Sequence, residues 1–297
     1  MTDTAGAVYD LGYEPHDGER LGRSGARRTL FFDGVRRVLG LRRKARRKIL
    51  PWTLIVIAVV PAVVFVGIQF FIPIDASELA SATANHSDFF GLGGTIVLLF
   101  TALAAPELLI PDRRDGVLSM LSSRPLTSND YVATRFASLL AIVFSFLLIP
   151  QLFLYVGQAA TGDEGLLRGL VESAGVIPKI IAVALIYAIA YVPLGFVVAS
   201  LSNRKAIGAA IYIGVIIGLT AIAEAVVENA TFTGGKWFAL IAPINTADAA
   251  NAWVFGETNS ESLLAAAGVS PGYAVLALAI LGGAATAFSF YRYRSLM

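Results

Sequence analysis

Six stretches of the chain are apolar for long enough to cross a bilayer: residues 52–72, 90–110, 131–157, 176–200, 206–227 and 272–291. A hydrocarbon core of about 30 Å takes about 20 apolar residues in a helix, so the pattern predicts an all-α membrane protein with six transmembrane helices. Between the second and third stretches lies a polar gap, 106–130, with helix signals of its own. Asp112 stands where an N-cap would, and Asp115, three residues later, meets the free amides and positive end of a new helix; Pro125 ends the run. Within that run Val117, Leu118 and Leu121 share one face, because residues three and four apart are neighbours on a helix. A second start signal, Thr127-x-x-Asp130, precedes the apolar run from Tyr131. The gap is therefore expected to hold a short amphipathic helix between two spans.

Upstream of the first span the character changes twice. Residues 1–26 mix acidic side chains with glycines and few apolar anchors, the composition of a poorly ordered tail. Over 27–50 the periodicity is helical, with Phe31, Val35, Val38, Leu39, Ala45 and Ile49 near one side. Arg36, Arg37, Arg43, Lys44, Arg47 and Lys48 fall on the other. An apolar stripe opposite a cationic face, immediately before a span, predicts a helix lying flat at the cytoplasmic surface against anionic membrane lipid. Pro51 is expected to break it and turn the chain into a six-span domain over 51–297. A nucleic-acid-binding arm and a solvated basic linker are the competing readings. Phe31 and Phe32 beside a span argue against both, so no nucleic-acid partner is expected.

The stretch 237–255 is apolar enough to enter the membrane, yet Pro243, Asn245, Asp248 and Asn251 would have to be satisfied at depth, where unpaired polar groups are expensive. It reads as a pair of short helices dipping into or resting on the outer leaflet, a re-entrant element between the fifth and sixth spans. Trp237 and Trp253 suit an interfacial level.

Composition agrees with this pattern: 56% of the 297 residues are hydrophobic and 15% charged, with a mean hydropathy of +0.71. The net charge of +2 says nothing about partners, but the distribution of the cations does. Short cytoplasmic loops accumulate Lys and Arg. With the N-terminus inside, only Arg168, Lys179 and Lys236 of the 23 basic residues fall outside. That division predicts cytoplasmic N- and C-termini and places the 106–130 gap in the cytoplasm; the membrane is expected to be a bacterial cell membrane. No cleavable signal is apparent, so the run from Trp52 is expected to act as an uncleaved signal-anchor. The absence of cysteine removes disulfides, thiolate metal sites and thiol catalysis.

Catalytic patterns are missing as well. There is no Gly-x-x-x-x-Gly-Lys-Ser/Thr phosphate loop, no His-Glu-x-x-His and no Gly-x-Ser-x-Gly. The chain is not expected to be an enzyme, to hydrolyse ATP alone or to hold a metal; His16 and His86 fall on opposite sides of the membrane in this topology. A charge at the bilayer centre costs at least about 2.5 kcal/mol and usually faces protein or water, which singles out two carboxylates. Glu107, near the end of the second span, reads as an interfacial partner of Arg113 or Arg114, or as the group that transmits loop movement into the span. Glu224, with Glu228 on the same face of the fifth span, reads as an interfacial residue or as the lining of an outward cavity. Gly208, Gly214 and Gly218 permit close helix approach along that span, within one subunit or between two.

From Glu107 to Tyr131 the residues resemble the permeases of ABC exporters known as the type 2 class: an acidic residue ending the second span, a charged turn closing on Gly116, an apolar helix, Arg124-Pro125-Leu126-Thr127, and an aromatic at Tyr131. The architecture over roughly 27–297 is similar to that family's, which has an N-terminal interfacial elbow helix, six spans, a cytoplasmic coupling helix between spans 2 and 3, and a re-entrant element before the sixth. The resemblance implies a permease subunit pairing with a second, identical or different, and docking a cytoplasmic ATP-binding-cassette subunit that binds ATP and Mg. The contact would be Val117, Leu118 and Leu121, rimmed by Asp112, Arg113, Arg114, Asp115 and Arg124, with Gly116 allowing close approach. Glu107 and Asp130 would tie it to the spans. Substrate would move outward along an interface lined by the second and fifth spans. An ATP-independent channel or carrier and a membrane anchor or sensor are the alternatives.

Overall fold

The computed structural model describes residues 21–41, 45–71, 85–122, 125–161, 165–229, 234–257 and 262–295. The first helix, α1 (Gly22–Val38), begins inside the stretch assigned to the acidic tail, whose residues 1–20 lie outside the described ones. It ends where Gly40 takes a left-handed conformation, φ +64°, and the Leu41 N–H closes back on Arg36 O at 2.8 Å. Glycine enters that region without a Cβ penalty and so terminates helices readily. The single helix expected over 27–50 is thus two, and the break lies at Gly40 rather than Pro51. α2 (Arg46–Phe71) carries Pro51 and Pro61 inside it. Trp52 Nε1 donates to Leu39 O at 3.1 Å and pins the early turns of α2 to the end of α1.

The chain continues through α3 (His86–Arg114), α4 (Val117–Ser122), α5 (Ser128–Thr161), α6 (Leu166–Glu172), α7 (Val176–Leu201) and α8 (Lys205–Asn229). A 3₁₀ helix (Gly235–Ile241), α9 (Pro243–Phe255), α10 (Leu263–Ala266) and α11 (Gly272–Arg294) complete it. No strand occurs among the described residues. α2, α3, α5, α7, α8 and α11 are long and apolar enough to cross a membrane, so the chain is an all-α protein of multi-pass membrane type.

Burial ranks the six. In α3 and α7, 61% of the apolar window is buried inside the protein, against 11% in α2. α7 packs on α3, α5, α8, α9 and α11, whereas α2 rests on α3 and α5 at the rim. Lipid is as apolar as leucine, so helices in a bilayer associate through close packing and polar contacts. Phe100 stacks on Phe146 at 4.7 Å between ring centroids, and Phe136 meets Phe196 edge-on at 5.6 Å. Glycines let the backbones approach: a Cβ on Gly94 would stand 2.7 Å from Tyr187 Cε1, and one on Gly195 2.9 Å from Thr101 Cγ2. Of the three fifth-span glycines, Gly208 packs within the chain against Ser202 and Pro106, while Gly214 and Gly218 face open space.

The Tyr187 ring is held by stacking on Phe90 and by a hydrogen bond to Asp248, so it cannot give way. Gly94→Ala is expected to lower stability by about 1–3 kcal/mol through overpacking, and Gly214→Ala to stay within about 0.5 kcal/mol, as read by thermal unfolding in detergent.

Candidate functional site

The region around the 106–130 gap is a layer of charges at one end of the helices. α5 opens with a reciprocal cap, as its sequence predicts: the Thr127 N–H donates to Asp130 Oδ2 at 3.0 Å and the Asp130 N–H to Thr127 Oγ1 at 3.2 Å. Asp130 is also clamped by two residues of α1, Arg23 Nε at 2.7 Å and Arg27 Nη2. The hydrogen bond and charge of Asp130 raise the Arg23 guanidinium further above its ordinary value.

A second carboxylate lies deeper. Asp112 is 0% exposed and accepts from three side chains at once: Arg37 of α1, and Tyr131 Oη at 2.9 Å and Arg135 Nη2 at 2.8 Å from α5. Arg135, 1% exposed, also pairs with Asp33 at 3.0 Å and donates to Leu30 O at 3.3 Å. Arg37 bonds Asp33 as well, at 3.1 Å. An ion pair this deeply buried gains little over apolar packing, but losing one partner strands a charge. It fixes the register of α1 against α3 and α5.

Asp112 therefore lies inside α3 rather than at the N-cap of a new helix, and its carboxylate is turned into the protein. α3 runs through Pro106 and Pro111 to Arg114, and the two arginines in its last turn complement its negative end. Arg113 is likewise turned inward. It donates to the carbonyls of Ala199 (2.7 Å), Ser200 and Ser202 at the end of α7, and Arg292 of α11 donates to Ser200 O at 3.1 Å. The orphan carbonyls of α7 are thus satisfied by two other helices. Glu107 pairs with Lys205 of α8, Nζ to Oε2 at 2.5 Å.

The loop itself begins with Arg114 and Asp115, exposed and paired at 2.9 Å, and with Gly116 at φ +70°. In α4 the predicted apolar face is spent on the chain's own core: Leu118 is buried, and Leu121 packs against the same cluster. Val117 is half-buried. Among the described side chains of α4, Ser119 and Met120 are exposed, Met120 at 70%. Arg124 lies outside the described residues.

On α1 the expected membrane face is also occupied. Leu30, Gly34 and Val38 are buried, Val35 packs against the core, and Ser138 of α5 donates to Phe31 O at 3.1 Å. Phe31 is half-buried, while Phe32 and Arg36 are exposed. Arg37 leaves the predicted cationic face for Asp112. Lys48 is half-buried; Arg43, Lys44 and the side chain of Arg47 lie outside the described residues.

At the other end of the helices the polar residues of 237–255 find partners. Tyr187 Oη donates to Asp248 Oδ1 at 2.5 Å, Asn251 Nδ2 to Ser87 O at 2.9 Å, and Asn245 Nδ2 to Glu224 Oε1 at 3.3 Å. Burial pushes the Asp248 carboxyl up from its ordinary value, opposed by the Tyr187 hydroxyl. Glu224, Glu228, Asn245 and Asp248 line a cavity of about 350 Å³ between α8, α9 and α10. His86 Nδ1 meets Gln151 Oε1 at 2.7 Å, and its ring stacks on Phe255 at 6.2 Å. Among the described residues no group of three or more His, Asp or Glu is placed to hold a metal ion, and His16 lies outside them.

Sequence reasoning missed Arg135, Tyr131 and Lys205 as structural partners and Met120 as an exposed apolar side chain. No protein-family model matches the chain, and no curated protein matches it.

Replacing Asp112 by Ala strands Arg37 and Arg135 and is expected to cost about 3–5 kcal/mol. Asp115→Asn, at an exposed pair, should stay within about 0.5 kcal/mol. Denaturation of both variants in detergent, compared with wild type, checks the contrast.

Proposed function

We propose that the chain is the membrane-spanning permease subunit of an ATP-driven exporter of the type 2 ABC class, in a bacterial cell membrane with both termini cytoplasmic. It pairs with a second permease, identical or different, and docks a cytoplasmic ATP-binding-cassette subunit that binds the ATP and Mg. The observation that carries the reading is α4: a short helix between the second and third long helices, exposed at Met120, with a buried, arginine-clamped carboxylate at each root of its loop.

In this account α1 is the elbow, α4 the coupling helix, and the 3₁₀ helix with α9 the re-entrant element. Closure of two ATPase subunits around ATP pushes on Met120 and its exposed neighbours Arg114 and Asp115. The push reaches α3 through Asp112 and α5 through Asp130, so both spans turn together as rigid bodies. Glu107 passes the movement to α8 through Lys205. At the far side the Glu224 cavity opens beside α8, where the account puts the exit of the path. The substrate moves outward without chemical change.

The test is co-purification of the full chain with its partner ATPase. An exposed apolar anchor at an interface is worth about 2 kcal/mol, roughly thirtyfold in affinity. Met120→Asp is expected to weaken association by that factor while the protein still folds. Association and ATP hydrolysis unchanged by Met120→Asp would remove α4 as the docking element.

A further inference from the structure

We infer that α6 is an interfacial helix seated in the membrane leaflet at the end of the bundle opposite Asp112, with the acyl-chain boundary of the lipid as the partner of Leu167 and Val171. The inference rests on the six long helices crossing a bilayer and not on the exporter reading.

α6 has only seven residues, Leu-Leu-Arg-Gly-Leu-Val-Glu, yet it presents three different faces. The first meets protein. A Cβ on Gly169 would stand 2.8 Å from the backbone oxygen of Ala159, Tyr155 Oη donates to Leu170 O at 2.5 Å, and Leu170 packs against the core. The second is charged: Arg168 and Glu172, four residues apart, are exposed and paired at 3.1 Å. Leu167 and Val171 form the third, and they are 80% and 76% exposed. At 3.6 residues per turn the apolar pair lies about 100° round the helix from the ion pair, and both point away from α5. The backbone contact at Gly169 and the Tyr155 hydrogen bond fix that roll, so the helix cannot turn to hide its apolar side chains.

Depth and size identify what covers them. Ala159, on which α6 rests, stands about 36 Å along α5 from Arg135 at about 1.5 Å per residue. The hydrocarbon core is about 30 Å thick. With the charged layer around Arg135 at one surface, α6 falls at the other. The spans it joins show apolar surface at this same end, Phe153 and Val156 on α5 and Ile181 on α7, all exposed. Two side chains are far less than the about 800 Å² per partner of a stable protein interface, whereas lipid already surrounds both spans. A short amphipathic helix lying in the plane of the membrane, apolar face down and charged face toward water, is the arrangement that satisfies all three faces. Through Gly169 and Tyr155 it holds the end of α5 at the same depth.

The chain has no cysteine, so single cysteines at Leu167, Arg168, Val171 and Glu172, all exposed, carry spin labels without background. In the full chain reconstituted into phosphatidylcholine vesicles, the accessibility of each label to oxygen, which concentrates in hydrocarbon, is compared with its accessibility to a water-soluble nickel chelate. The oxygen-to-nickel ratio is expected to be severalfold higher at 167 and 171 than at 168 and 172. Free access of the chelate to all four positions would place α6 in water and overturn the proposal. Exclusion of both reagents from 167 and 171 would overturn it too, since protein, from this chain or a second copy, would then cover the face. So would preference for oxygen at all four, which would sink the helix wholly into the hydrocarbon.

Discussion

A carboxylate with no exposure to solvent, answered by two arginines and a tyrosine from two other helices, is the constraint on which this end of the molecule depends. Away from water the desolvation of Asp112, Arg37 and Arg135 offsets most of their mutual attraction. The cluster is therefore better understood as a register device than as a source of stability. The observed arrangement of α1, α3 and α5 brings all four groups together. Apolar packing alone would tolerate sliding of one helix past another; a stranded guanidinium would not.

The same logic recurs around it. Asp130 holds the N-terminal half of α1 by two arginines, so α1 is fastened at both ends across the roots of the 115–127 loop. Arg113 and Arg292 bind the carbonyl end of α7, which joins the most buried helix to the same layer. Between the charged layer and the polar contacts of Asp248, Asn251 and His86 lies a middle of stacked aromatics and close glycines. A molecule tied at its ends and packed smoothly in its middle can pass displacement from one end to the other.

The six long helices were legible because hydropathy over twenty residues is a long and redundant signal. The start of α5 was legible because a capping box is local chemistry. What the sequence could not reveal was which face of a short helix meets protein. In α4, Val117, Leu118 and Leu121 form an apolar stripe, and a stripe looks the same whether it awaits a partner or the chain's own core. Asp112 and Arg113 looked like surface because charges beside a turn normally are, and only the third dimension supplies Tyr131, Arg135 and the end of α7. Two signals were available: Arg135 stands within an apolar span, where an ionisable group demands a partner, and Gly40 is a better helix stop than Pro51.

The central claim is that α1 and the α4 loop form one rigid handle on the spans. The chain has no cysteine, so Thr29→Cys and Met120→Cys, both at exposed positions, place two spin labels without background. The direct measurement is the distance between them by pulsed dipolar spectroscopy in reconstituted membranes containing the ATPase proposed as partner, with and without ATP. The account predicts one narrow distribution, unchanged by ATP. A broad distribution, or one that shifts when ATP is added, would contradict it.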